Sequence, residues 1–309
     1  MLEENYTRIF DVWIVGLQDL QEIKIILFIF FLAIYLITLN GNFLVILLVS
    51  TRNQLHRPMY FLLCGLSLSE ITFTTNLIPL FLHIILEEGS TIYLTSCLAQ
   101  FYVCGSLGAT ECFLLAMMSY DRYMAICKPL HYASVMTLRF CQELIIWSWA
   151  GGFMSMLIIL VKVSQLEFCS PNIIDHFFCD FAPIMKLSCS DTSFVEIETF
   201  IFSSSVTLLP FIFVIGTYIC IIDTIARIPS ATGRKKTFST CSSHLAVVCT
   251  FYGTLISVYV APTGRLPSNF NKILSLIYSV VTPLLNPIIY SLRNREIKAG
   301  VQKLLDNVK

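Results

Sequence analysis

Seven apolar stretches of this chain are each long enough to cross a bilayer as a helix: about Ile23–Ser50, Pro58–Leu86, Thr95–Met118, Leu144–Val161, Phe200–Ile222, Phe238–Val260 and Ile273–Leu292. The first past Lys24, the fourth, the fifth and the seventh carry no charged residue. In hydrocarbon an unpaired backbone N–H or C=O costs several kcal/mol, and a helix satisfies these groups within itself. With 56% hydrophobic and only 13% charged residues, the chain lacks the polar surface a water-soluble fold would need. The expectation is an all-α membrane protein, a seven-transmembrane helix bundle forming one domain over residues 1–309.

Charge sets the orientation. With the N-terminus outside, fourteen of the 20 Lys and Arg residues fall in the inward loops and tail, among them Arg52, Arg57, Lys128, Arg139, Arg227 and Arg234. Residues 1–22 are then extracellular and residues 293–309 a cytoplasmic tail. The first 22 residues hold Glu3, Glu4, Asp11, Asp19 and Glu22 and lack a basic leader pattern, so the first span reads as a retained anchor. Asn5-Tyr6-Thr7 fits the glycosylation acceptor pattern on that outward segment. In the tail, Ile297, Val301, Leu304, Leu305 and Val308 form one apolar helical stripe with Lys298, Lys303 and Lys309 off it, as in a short amphipathic helix lying on the inner leaflet.

The 12 cysteines sort by compartment. Cys64, Cys104, Cys112, Cys127, Cys141, Cys220, Cys241 and Cys249 lie in spans or at their inner ends, where a free thiol behaves as a small apolar group. Cys97, Cys169, Cys179 and Cys189 face the oxidising side, and four cysteines allow three pairings. A net charge of zero, with no phosphate-cradling glycine loop and no recognised metal-ligand spacing, gives no pointer to nucleic acid or to catalysis. A transporter or channel would carry intramembrane charges along a path, or broken helices in paired halves, and neither stands out.

The third span ends in Met118-Ser-Tyr-Asp-Arg-Tyr-Met-Ala-Ile-Cys127. An adjacent acid and base at the water edge of a helix can hold one conformation by an ion pair and release it when something else binds. Together with Gly41-Asn42, Pro58-Met-Tyr-Phe61, Leu66-Ser-Leu-Ser-Glu70, Lys128-Pro-Leu-His-Tyr132, Lys236-Thr-Phe-Ser-Thr-Cys-Ser-Ser-His244 and Pro283-Leu-Leu-Asn-Pro-Ile-Ile-Tyr290, this run makes the chain resemble a vertebrate olfactory receptor of the rhodopsin-like G-protein-coupled superfamily. His176-Phe-Phe-Cys179 within a long second outer loop is similar to the tetrapod type. Departures are small: Glu70 stands where Asp is usual, Met124 where Val is commoner, and Thr217-Tyr218 where Ser-Tyr is usual.

The resemblance implies a receptor, not an enzyme, in the plasma membrane. It would bind a small volatile odorant and act on a stimulatory, olfactory-type heterotrimeric G protein to raise cyclic AMP. A receptor for another small neutral ligand is the alternative; a retinal pigment would need a lysine in the seventh span, which Ile273–Leu292 lacks. The resemblance pairs Cys97 with Cys179 and Cys169 with Cys189. It assigns the switch to Asp121, Arg122, Tyr123, Tyr218, Asn286, Pro287 and Tyr290, and a structural sodium ion to Glu70, Glu111, Asn286 and, more loosely, Asn42. A pair of carboxyls sharing a proton is the competing account of Glu70 and Glu111.

Helical spacing from these motifs outlines a ligand pocket. It comprises Cys104, Gly105, Gly108 and Ala109 on the third span, then Phe202, Ser203, Val206 and Thr207 outward of Pro210 on the fifth. Tyr252, Leu255, Ile256 and Tyr259 follow on the sixth, and Ser279 faces them from the seventh. Amine receptors carry an Asp where this chain has Cys104, so the expected ligand is neutral and largely apolar with one hydrogen-bonding group. Ordinary helix packing would give the same stripe.

Overall fold

The computed structural model describes residues 9–17, 22–169, 171–259, 268–293 and 297–302. The chain runs through β1 (Asp11–Ile14), α1 (Lys24–Thr51), α2 (Pro58–Glu87), β2 (Ser90–Tyr93), α3 (Leu94–Cys127), α4 (Pro129–Val135), α5 (Leu138–Ser164), β3 (Ile173–Ile174), α6 (Phe181–Met185), α7 (Ser193–Ala226), α8 (Ala231–Tyr259), α9 (Ser268–Leu276) and α10 (Thr282–Arg293). A π-helical turn, Ile277–Val281, joins α9 to α10 as one broken helix. A last helix, α11, covers 297–302.

Helices α1, α2, α3, α5, α7, α8 and α9–α10 form the seven-helix bundle. Six of these segments are long and apolar enough to cross a membrane, while α8 carries a shorter apolar stretch, His244–Ser257. The helices extend past the apolar runs because their polar ends can leave the bilayer while keeping backbone hydrogen bonds: α3 reaches Cys127 and α8 begins at Ala231. Pro58 and Pro129 start α2 and α4, where the missing N–H is harmless. Thr137 caps α5 by accepting from the Phe140 N–H at 3.2 Å.

Apolar side chains point two ways. Ile25, Ile26, Ile29, Phe30 and Ile37 of α1, and Ile212, Ile215, Ile219 and Ile222 of α7, are exposed on the outside of the bundle, as helices solvated by lipid require. Leu48, Leu62, Leu66, Leu107, Leu114, Leu115, Met118 and Phe251 fill its interior. Helix α3 is central, touching α2, α5 and α7. Gly152 of α5 lets its backbone approach α3, since a β-carbon there would lie 2.6 Å from the Ser106 carbonyl oxygen.

A small sheet of order β2-β1-β3, absent from the all-helical expectation, covers one end. Val12 and Ile14 of β1 are buried while Asp11 and Trp13 are not, the alternation of a half-buried strand. The turn feeding β2 uses left-handed backbone at Glu88 (φ 60°) and Gly89 (φ 137°), and a side chain at Gly89 would strike Trp13. At the other end Ile297 of α11 is fully buried beside the main core; Leu304, Leu305 and Val308 of the expected stripe lie outside the described residues, as does Asn5.

Candidate functional site

Disulfides join Cys97 to Cys179 and Cys169 to Cys189, with Cα–Cα distances of 5.4 and 5.7 Å. The first ties the loop between α5 and α7 to the start of α3, and the Cys179 N–H donates to Gln100 Oε1 at 3.0 Å beside it. Gln100 in turn donates to the Asn76 carbonyl at 3.0 Å, and Asn76 donates to Cys104 Sγ at 3.0 Å. The loop is thereby a lid, and its Phe177 ring packs on Phe81 of α2 at 5.0 Å. His176 stacks on Phe177 at 4.6 Å and meets Phe178 edge-on at 4.7 Å. Burial, with Lys272 and Lys186 adding to it against Asp175, pushes the His176 imidazole down to about 3, so it is neutral at physiological pH.

Beneath the lid is a cavity of about 860 Å³. Of the residues expected to form a pocket, Cys104, Gly105, Gly108, Ala109, Phe202, Ser203, Val206, Thr207 and Leu255 line it. Tyr252 does not: it is buried and donates its hydroxyl to the Cys112 carbonyl at 2.9 Å, a tie between α8 and α3. Ile256 packs against the main core instead. Ser279 is buried in the π-helical turn and donates back to the Ser275 carbonyl at 2.7 Å, so that Ser275 and Tyr278 face the cavity in its place. The side chain of Tyr259 lies outside the described residues.

Helical spacing also missed part of the wall. Phe73 of α2 and Ser155, Met156 and Ile159 of α5 line it, as do Phe178, Asp180 and Phe181 of the lid. The signal for the lid was present in Cys179, whose bond to Cys97 brings its neighbours over α3. Charged groups stand at the lid end, which the reading from Cys104 alone overlooked. The carboxylates are already engaged, while Lys186 also lines this end: Asp180 accepts from the Phe181 N–H at 2.8 Å, Asp175 pairs with Lys272, and Glu196 accepts from the Thr192 hydroxyl at 2.6 Å.

At the opposite end, Arg122 Nη2 meets Asp121 Oδ2 at 3.0 Å, and Tyr132 of α4 donates to Asp121 Oδ1 at 2.9 Å. Burial and the Asp121 charge push the Tyr132 phenol up, so it remains a donor. Tyr218 hydrogen-bonds His244 Nδ1 at 2.8 Å, linking α7 to α8, and Thr224 donates to Cys127 Sγ at 3.2 Å, linking α7 to α3. Tyr123 stacks on Tyr120 at 6.4 Å. The Tyr290 hydroxyl is buried with no hydrogen-bond partner, and Pro287 packs where a β-carbon on Gly41 would lie 3.0 Å from it.

Between the two ends, Asn286 donates to Glu70 Oε1, and Glu111 on α3 lies close enough to feel the Glu70 charge. Glu70 Oε2, Glu111 Oε1 and Asn286 Oδ1 are all buried without a hydrogen-bond partner. Carboxylate and amide oxygens are the donors a hard cation takes. Asn42 donates to the Thr38 carbonyl at 3.2 Å and also lies within hydrogen-bonding reach of Glu70. Among the described residues no group of three or more His, Cys, Asp or Glu side chains is arranged to hold a metal ion.

A seven-helix bundle with a disulfide-tethered lid over a cavity at one end, and an Asp-Arg pair at the other, has the layout of a membrane receptor. The sequence profile of the olfactory receptor family matches residues 31–308, and the chain belongs to that family. It is 46% identical to human olfactory receptor 11L1 over 305 residues, covering 99% of this chain and 95% of the relative. Human olfactory receptor 6N1 shares 44% over 304 residues, covering 98% and 97% of the two chains. Mouse olfactory receptor 5P52 shares 42% over 308 residues, covering 100% and 99%. The protein is thus a multi-pass membrane receptor and not an enzyme.

Proposed function

We propose that this receptor binds a small, neutral, largely apolar odorant in the cavity beneath the lid and passes the signal to a stimulatory G protein, raising cyclic AMP. The observation that carries this reading is the cavity itself. Its helical walls offer Phe73, Val206 and Leu255 with a few hydroxyls, Ser203, Thr207 and Ser275, and its lid carboxylates already have partners. That is the make-up of a site for a small molecule with one polar group. The lid end faces outward with the N-terminus, a placement supported by the basic residues at the other end and by the disulfides. Asn5 is then available for glycosylation, and the receptor resides in the plasma membrane.

In the resting state Asp121 holds Arg122; on activation Arg122 turns toward the G protein, while Tyr218, Asn286, Pro287 and Tyr290 carry the rearrangement of α7 and α10. Glu70, Glu111 and Asn286 would hold a sodium ion, whose single positive charge offsets that of one carboxylate. A cyclic-AMP reporter screen of the full-length receptor against a broad odorant panel tests the reading, with Arg122→Ala as the paired control. Agonists that act on the parent and fail on Arg122→Ala, at equal surface levels, support it. A response confined to charged amines, or full signalling from Arg122→Ala, refutes it.

A further inference from the structure

Besides its backbone pairing with β1, where the Val15 and Gly16 N–H groups donate to the Ile174 and His176 carbonyls, the lid meets the helices along two seams of different strength. Toward α3 it is fixed by the Cys97–Cys179 bond and by the hydrogen bond from the Cys179 N–H to Gln100. Toward α9 it meets Lys272, whose ammonium donates to Asp175 Oδ1 at 2.5 Å and, more weakly, to the Gly16 carbonyl at 3.4 Å. One cation therefore fastens the lid, the segment leaving β1 and the head of the seventh helix. The pair also sits on the cavity wall. Asp175 and His176 line the cavity from the lid, while Leu274, Ser275 and Tyr278 line it from the helix that carries Lys272.

The two seams differ in what it takes to part them. The α3 seam cannot open without breaking a covalent bond. At the α9 seam the described tie to the lid is the Lys272 ion pair, and with Asp175 57% exposed its carboxylate regains water as it leaves. Lys272 is only 12% exposed, so the pair holds the closed state more firmly than a free surface pair would. We propose that odorants enter and leave the cavity through the seam between the lid and α9, and that the Lys272–Asp175 pair is the latch that sets how often this seam opens. The inference rests on the reading of the cavity as the odorant site, but the latch can be tested without a known odorant.

Cys104 makes the test possible. Its free thiol lines the cavity. Methyl methanethiosulfonate, a small neutral reagent, would be applied to the full-length receptor in lipid nanodiscs, and labelling of the Cys104 peptide followed by mass spectrometry. Lys272→Met and Asp175→Asn should each label about three to ten times faster than the parent, since losing such a pair shifts the opening equilibrium by about that factor. The double charge reversal, Lys272→Asp with Asp175→Lys, should return toward the parent rate. Cys241, buried at the opposite end, reports general loosening and should label at the parent rate throughout. Unchanged Cys104 rates in both single variants would place ingress elsewhere, through the lipid-facing helices, and overturn the latch. So would parallel acceleration at Cys241, or a double reversal as fast as the single variants. Latch-dependent labelling in a receptor that answers no odorant would refute the odorant reading and leave the latch standing.

Discussion

Gly152 lies where α5 crosses α3 with almost no room between backbones. A β-carbon there would strike Thr110 Oγ1 and lie 2.6 Å from the Ser106 carbonyl oxygen and 2.9 Å from the Thr110 nitrogen. Carbon and carbonyl oxygen normally approach to about 3.3 Å, so the helices must part by roughly 0.7 Å. Neither obstacle on the backbone can rotate away. Overpacking of this kind costs about 1–3 kcal/mol, which should lower the melting temperature of Gly152→Ala by about 2–8 °C. Neighbouring glycines serve as controls. At Gly151 an added β-carbon meets a Phe113 ring edge at 3.3 Å, a side chain that can yield, so Gly151→Ala should lose much less. At Gly216 it meets nothing within 4 Å, and Gly216→Ala should gain up to about 1 kcal/mol from helix propensity. Met156 and Ile159 follow Gly152 on α5 and line the cavity, so Gly152→Ala should also weaken odorant potency. Thermal unfolding of the three purified variants in one detergent makes the comparison, and equal melting temperatures for Gly152→Ala and Gly216→Ala would refute the close-approach argument.

His176 gives a pH dependence: its folded value of about 3 lies below the ordinary 6.5, so the unfolded chain gains the proton first and stability falls as pH drops from about 6.5 toward 3. At pH 5 the loss should be about 2 kcal/mol, and a His176→Asn receptor whose melting temperature falls as steeply with acidification as the parent's would count against it. Thr207→Val should reduce potency for oxygenated odorants by about tenfold while sparing hydrocarbons, as expected for one lost hydrogen bond, whereas Tyr252→Phe should not discriminate between them; dose-response curves in cells decide. Replacing external sodium with a large organic cation should raise basal cyclic AMP in the parent, and Glu111→Gln should blunt that change; equal responses in both would favour a shared proton.

The seven spans were legible because a membrane helix needs about 20 apolar residues in a row, a signal few other elements imitate. What escaped has local causes. Strand β1 is four residues long, and its partners at Ser90–Tyr93 and Ile173–Ile174 are far away in the chain, so no hairpin signal marks it. The π-helical turn at Ile277–Val281 contains neither glycine nor proline, yet it rotates the helix enough to turn Ser279 inward on itself and present Ser275 and Tyr278 to the cavity. Tyr252 shares a stripe with Leu255, but the stripe is wider than the cavity, and spacing alone cannot tell which of its members another helix will cover. Phe178 and Asp180 sit in a loop without period, where only the Cys97 tether shows what lies beneath.

The two ends of the bundle are held by bonds of different kinds, and the difference bears on how a small ligand can act. An odorant of about ten heavy atoms has only several kcal/mol of binding free energy, and it can shift an equilibrium only by the part that differs between two states. The lid is fixed to α3 by a disulfide whose cysteines are 82 residues apart, so that seam does not part. At the other end the helices are joined by single polar contacts: Tyr132 to Asp121, Tyr218 to His244, and Thr224 to Cys127. Each is worth about 0.5–3 kcal/mol, within reach of the ligand's differential affinity. The broken helix α9–α10 connects the ends, with Ser275 and Tyr278 in the cavity wall and Asn286 and Tyr290 below it. Its π-helical turn marks where the backbone departs from the α-helical hydrogen-bond pattern, as such turns often do at functional sites. On the proposed reading, a ligand that presses on Tyr278 acts on a wall that runs on to Asn286 and Tyr290, and the weak contacts around Arg122 should be the first to give way.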